Sequence, residues 1–192
     1  MQNKSFYTKL KKNYTDYNRD RGVIIGKSRD ILKYSKEAIF ACHRNQLPEA
    51  LKSLLSAEKI IQEISKKSLS DAKLYFEGSF RASLEEYAEA KLFYNYLITG
   101  KVQEIKEVKL DYDTYIGALS DFTGELIRKA IALATKREVK EVEKIKNAIE
   151  EVMEQFIKFD LVSHLRSKYD AARKNLRTIE EILYDLSISE RK

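Results

Sequence analysis

Apolar side chains return every three or four residues along nearly the whole chain, and the pattern divides into about seven helical segments. The first spans about Ser5 to Arg44, loosened at Gly22 and Gly26, with Ile24, Ile31, Ala38 and Cys42 on its buried side. After the loop Asn45-Gln46-Leu47, Pro48 suits the first turn of a second helix, because its missing N–H has no partner to lose there. Leu51, Leu54, Leu55, Ile61 and Ile64 form that helix's expected buried stripe, which stops near Ser68. Ser70 and Asp71 offer capping oxygens to a third helix, which runs through Tyr75, Phe80, Leu84 and Tyr87 to Ile98 and ends at Thr99-Gly100. A short helix is expected over Val102 to Val108. Asp111 and Asp113 place negative charge at the start of a fifth helix, through Ile116, Leu119, Leu126 and Ile131 to Thr135. The sixth covers about Glu138 to Phe159, with Val142, Ile145, Ile149, Val152 and Phe156 inward, and the seventh about Val162 to Ile188. Short loops and the absence of a repeat suggest one all-α domain over residues 1–192, its neighbouring helices antiparallel.

Composition narrows the class further. With one Pro and six Gly in 192 residues, the chain lacks the breakers that a sandwich or barrel of short strands requires, while 43% hydrophobic residues suffice for a core. The lone Cys42 has no partner for an intramolecular disulfide, no segment resembles a signal peptide, and no apolar run approaches the roughly 18 residues of a membrane span. A cytoplasmic protein without a membrane segment is expected. The formal charge of +6 is concentrated: residues 1–36 carry ten Lys and Arg against three Asp, a polarity suited to a polyanionic partner.

Two helices carry acids inside otherwise apolar faces. On the third, Glu86 and Glu89 share a side with Ala82, Ala90, Phe93 and Leu97; on the fifth, Asp121 and Glu125 lie one turn apart. Gly117 and Gly124 flank the second pair, and Gly124 in mid-helix suggests close approach of another backbone or a ligand. If the two helices pack side by side in antiparallel fashion, four carboxylates converge and call for a cation. Hard oxygen donors favour Mg²⁺ or Mn²⁺, which activate water toward a phosphodiester. The plainer alternative is that these are chance acid pairs on solvated faces. Neither His43 nor His164 has a Glu three residues before it, so a ferritin-like di-iron site lacks its motif, and no phosphate loop or serine elbow is present. His43 reads as a surface residue or a partner of the helix C-terminus, and Cys42 as buried. The basic first helix with Tyr7, Tyr14, Tyr17 and Tyr34 suits either a nucleic-acid strand or a solvated face.

The segment Asp113-Thr-Tyr-Ile-Gly-Ala-Leu-Ser-Asp-Phe-Thr-Gly-Glu-Leu-Ile-Arg128 resembles the signature of translin-associated factor X, and Leu84-Glu-Glu-Tyr-Ala-Glu-Ala90 resembles that family's other acidic motif. Ser28-Arg-Asp-Ile31, Ser35-Lys36, Ile39-Phe40 and His43-Arg44 are similar to its first helix, and Tyr169 through Tyr184-Asp-Leu-Ser-Ile188 to the last helix of translin. The resemblance implies seven helices and a hollow, usually octameric barrel that binds single-stranded nucleic acid, with ribonuclease activity in the factor X type of subunit. By motif, Glu86 and Glu89 match the Glu-x-x-Glu acids, Asp121 the aspartate of Asp-x-Thr-Gly-Glu, and Glu125 its final Glu; translin proper lacks these acids.

On that resemblance the expected protein is a metal-dependent endoribonuclease for single-stranded RNA, with single-stranded DNA as a further ligand, and Mg²⁺ or Mn²⁺ held by Glu86, Glu89, Asp121 and Glu125. Arg29, Lys36, Arg44 and Arg81 are the expected phosphate contacts. The compact loops and the length, shorter than eukaryotic relatives, suggest a prokaryotic or archaeal homo-oligomer. A non-catalytic nucleic-acid binder and a purely structural helical scaffold are the alternatives.

Overall fold

The computed structural model describes residues 2–68 and 72–189, and among these the regular structure is entirely helical. Six long helices and one short turn follow in order: α1 (Gln2–His43), α2 (Leu47–Ser68), α3 (Ala72–Tyr75), α4 (Gly78–Thr99), α5 (Tyr112–Ala134), α6 (Val139–Phe156) and α7 (Ser163–Ser189). α1 and α4 end at left-handed residues. Asn45 closes α1 at φ 57°, and Gly100 closes α4 at φ 69° with its N–H on the Tyr96 carbonyl at 2.8 Å. Asp111 starts α5, its side chain accepting from the Thr114 N–H at 2.8 Å, as the acids there suggested.

Gly22 and Gly26 do not loosen α1. Ile24 and Ser28 are buried beside them, and Arg21 and Lys27 tie the same stretch to Glu77 and Glu63 at 2.7 and 2.6 Å. Ser70 and Asp71, expected to cap the third helix, lie outside the described residues. The long helix expected from there to Ile98 is interrupted at Phe76 and Glu77. The interruption lets the Tyr75 ring meet Phe80 edge-on at 5.9 Å and turns Glu77 toward Arg21.

The expected helix at Val102 to Val108 is absent, and the reason shapes the whole bundle. This segment is pinned lengthwise: the Ile105 N–H donates to the Tyr115 hydroxyl at 3.0 Å, and Glu107 pairs with Lys91 at 2.8 Å. Ile105 and Val108 are buried under it. A helix of 22 residues such as α4 is about 33 Å long, and the eleven or so extended residues after it are long enough to return to its starting end. α5 therefore runs parallel to α4, not antiparallel as expected: Arg81 meets Asp113 at 3.4 Å, and four residues further on Glu85 abuts Gly117. α1 also runs parallel to α4, from Arg21 at Glu77 to His43 against Phe93, and α7 parallel to α5, from Lys168 at Asp121 to Asn175 at Thr123.

The core is filled by Phe80, Leu84, Tyr87, Phe93, Phe122, Leu126 and Phe156 with Ile31, Leu54 and Ile61 from the first two helices. Burying such a side chain contributes roughly 1.5–3 kcal/mol. Leu51 and Leu55, expected inside, face out at 36% and 53% exposure, and Ile131 is also exposed. The buried stripe of α2 is instead Ala50, Leu54, Ala57, Ile61 and Ile64, because two alanines let α2 approach its neighbours closely. Within this core one polar cluster is closed on itself: Lys91 donates to Glu58 at 2.9 Å and pairs with Glu107, and the Tyr87 hydroxyl donates to Glu58 at 2.7 Å. Burial works against the Lys91 ammonium, and its hydrogen bonds to Glu107 and Glu58 outweigh that and raise its pKa. No described helix is long and apolar enough to cross a membrane.

Candidate active site

Helical spacing puts Glu86 and Glu89 one turn apart on α4, and Asp121 and Glu125 one turn apart on α5. Parallel packing brings the two pairs together by a different register from the antiparallel one. Glu86, Glu89 and Glu125 line a cavity of about 280 Å³ with Lys36, Ile39, Phe40 and Arg128, and Asp121 is within electrostatic reach of both glutamates. Ile39, buried in its wall, excludes water from the acids without offering them a donor.

That environment is recorded in the proton affinities. Burial, then the charges of Asp121, Glu86 and Glu125, push Glu89 from its ordinary 4.5 up to about 8, against the lowering pull of Lys168. Glu86 is also raised, by burial first and by Asp121, Glu125 and Glu85, with Lys36 opposing. Like charges gathered in a dry site favour either a shared proton or a cation.

Two of the four acids already have cationic or hydrogen-bonding partners. Lys168 of α7 donates to Asp121 at 2.5 Å and pairs with Glu85 at 2.6 Å; burial disfavours its ammonium, but these bonds raise its pKa overall. Glu125 is bonded by the His43 imidazole, which leans on Phe93 with ring centres 4.8 Å apart, and lies 3.6 Å from Arg128. The Arg128 guanidinium in turn sits over the Phe40 ring at 5.2 Å.

Sequence reasoning missed His43, Lys168, Glu85 and Arg128 as members of this site. His43 was expected as a surface residue or a partner of the helix C-terminus; it does stand in the last turn of α1, but its side chain is only 11% exposed. The His43-Arg44 and Leu-Ile-Arg128 stretches within the resembling motifs were the available signals. Lys168 had none, since it reaches Asp121 from 47 positions away. Cys42 is buried as expected, with its thiol pushed up to about 12 by burial.

The close approach expected at Gly124 occurs at Gly117. A Cβ at Gly117 would lie 2.7 Å from the Glu85 carboxylate, whereas at Gly124 it would meet only the Asn175 amide at 3.7 Å, an ordinary contact. Absence of a side chain at Gly117 therefore gives Glu85 the room to reach Lys168.

Of the expected phosphate contacts, Lys36 stands at the cavity, Arg29 is exposed on the face of α1 that also carries Lys33, Lys36 and Phe40, and Arg44 is exposed in the turn just after α1. Arg81 is placed differently. Its guanidinium is half-buried between Asp111 and Asp113 at 3.6 and 3.4 Å, joining the starts of α4 and α5.

Four carboxylates supply hard oxygens that match Mg²⁺ or Mn²⁺ in chemistry, and the raised Glu89 and Glu86 fit a site that a cation would relieve. As they stand, no three His, Cys, Asp or Glu side chains among the described residues are grouped to hold an ion. The bonds of Lys168 to Asp121 and of His43 to Glu125 hold those two carboxylates in their present positions.

The family model described as "Translin family" matches residues 19–190. No curated protein matches the chain in sequence. Among solved structures, apo-NeC3PO superposes with a TM-score of 0.86 at 21% identity, covering 94% of this chain and 96% of that one. AfC3PO gives 0.86 at 21% identity over 97% and 99% of the two chains. A complex of AfC3PO with duplex RNA gives 0.82 at 19% identity over 95% and 97%.

Proposed function

Because the chain belongs to the translin family, we propose that it binds RNA and cleaves it as a metal-dependent endoribonuclease of the translin-associated factor X type, assembled into an oligomeric shell. The supporting observation is the acid cluster itself: burial first, and then three neighbouring carboxylates, hold Glu89 up at about 8 in a cavity flanked by Lys36 and Arg128. Glu86, Glu89, Asp121 and Glu125 would hold Mg²⁺ or Mn²⁺, whose chemistry is to activate water and stabilise charge on a phosphodiester.

The remaining work falls to the chain's own side chains. Lys36 and Arg128 receive the scissile phosphate at the mouth, where their charges are drawn toward the acids and an incoming anion alike. Arg29 and Arg44 extend the basic track along α1, and the exposed Phe40 ring offers a stacking face for a base. His43 orients Glu125, and Lys168 orients Asp121 and Glu85. The bound RNA of the AfC3PO complex is a duplex, so both single- and double-stranded substrates belong in the test.

A non-catalytic nucleic-acid binder is the second reading, favoured by the partners that Asp121 and Glu125 already have. The deciding experiment is cleavage of fluorescent single-stranded and duplex RNA by the wild type and Asp121→Asn with Mn²⁺, Mg²⁺ or EDTA, each protein first sized by light scattering. Metal-dependent cleavage lost in an equally assembled variant supports the nuclease. Salt-sensitive binding without cleavage supports the binder, and neither binding nor cleavage refutes both.

A further inference from the structure

α1 is far longer than the bundle it serves. Its 42 residues extend about 63 Å, against about 33 Å for the 22-residue α4, and α1 meets the start of α4 at the ion pair of Arg21 with Glu77. Before Asp16 every side chain described is exposed, so about four turns stand beyond the other helices. A helix of that length without a partner is marginal in water. This one also carries an apolar stripe: Phe6, Leu10 and Tyr14 recur every four residues with Tyr7 beside them, and each is more than half exposed. Lys9 borders the stripe on one side and Lys4 and Lys11 on the other, with no acid before Asp16.

The molecule also has a groove of complementary character. A cavity of about 540 Å³ opens between α5 and α6 at the end of the bundle from which α1 protrudes. Leu110, Ile116, Leu119, Val152 and Phe159 line it, and its charged members are the acids Asp111 and Glu151. α1 cannot reach this groove in its own chain, because it is unbroken from Gln2 to His43 and packs chiefly on α2 and α4.

We propose that the protruding part of α1 lies in the α5–α6 groove of a second copy of this chain, which returns its own α1 in the same way. Two copies meeting end to end about a twofold axis place each protrusion beside the other's groove, as a closed isologous pair requires. The aromatic stripe fills the groove in helix-in-groove fashion, and Lys9 and Lys11 approach Glu151 and Asp111 at its rim. Leu10 at the centre of the stripe distinguishes this occupant from nucleic acid, since an aliphatic side chain offers no stacking face.

Leu10→Asp and Phe159→Asp each place a charge on one half of this contact, at residues that are more than half exposed in the single chain and whose replacement leaves the bundle intact. Light scattering should show the wild type as an oligomer and each variant as a smaller species, with circular dichroism unchanged. Carbodiimide coupling in mixtures of isotopically light and heavy protein should link Lys9 or Lys11 of one copy to Glu151 of the other, and both substitutions should abolish those links. A monomeric wild type, the absence of such links, or unchanged mass in both variants overturns the proposal. So does a Leu10→Asp protein that weakens RNA binding while mass and cross-links stay as they were, which would assign the stripe to nucleic acid.

Discussion

Glu89→Gln should make the metal-free protein more stable. The Glu89 carboxyl is raised from 4.5 to about 8 by burial and then by Asp121, Glu86 and Glu125. Its folded form holds a proton that the unfolded chain gives up, so stability falls as pH rises from the unfolded value through the folded one. The slope over that window is about 1.4 kcal/mol per pH unit, which accumulates to roughly 3 kcal/mol by neutral pH. Glutamine keeps the shape and removes the titration. Urea unfolding in EDTA, at one protomer concentration, should therefore show Glu89→Gln more stable than wild type by up to about 3 kcal/mol near pH 7.5, and close to it near pH 5. Mn²⁺ should narrow or reverse the difference by stabilising the wild type more than the variant, which keeps only three of the four acids. A variant no more stable than wild type at neutral pH, or a difference that does not widen with pH, would refute the electrostatic account of the cluster. Equal stabilisation of both proteins by Mn²⁺ would remove Glu89 from the metal site.

Three further outcomes are expected. Gly124→Ala should raise stability by about 0.5–1 kcal/mol in urea unfolding, since a Cβ there meets only an ordinary contact, whereas Gly117→Ala should push the Glu85 carboxylate off Lys168 and gain less than Gly124→Ala does. Lys91→Met leaves Glu58 buried beside Tyr87 without its cation and should cost roughly 3–5 kcal/mol in urea titration, much of it recovered by adding Glu58→Gln. Charge reversal at Arg29, Lys36 or Arg44 should weaken RNA binding and flatten its dependence on salt in fluorescence anisotropy, while reversal at Arg81 should chiefly reduce stability, because its partners are Asp111 and Asp113.

The all-helical class and most helix limits were legible in the sequence, because spacing of apolar residues, the acids Asp111 and Asp113 at a helix start and Gly100 as a stop are local signals that act within one or two turns. So were the acids of the site as two pairs, since helical spacing alone puts Glu86 with Glu89 and Asp121 with Glu125. Their mutual register was not. It depends on the extended return of residues 101–111, which lies where helical spacing continues but where Tyr115, Lys91 and the buried Ile105 hold the backbone straight. Local propensity is a weak preference that such tertiary contacts override. For the same reason Leu51 and Leu55 matched a buried stripe yet face outward, and Gly117 rather than Gly124 proved to be the point of close approach. His43 and Lys168 belong to the site through contacts 82 and 47 positions away in the chain, separations at which sequence periodicity carries no information. The sequence determined which faces carry acid, base and hydrocarbon; the tertiary structure decided which of those faces meet, because only packing fixes the direction and offset of one helix against another.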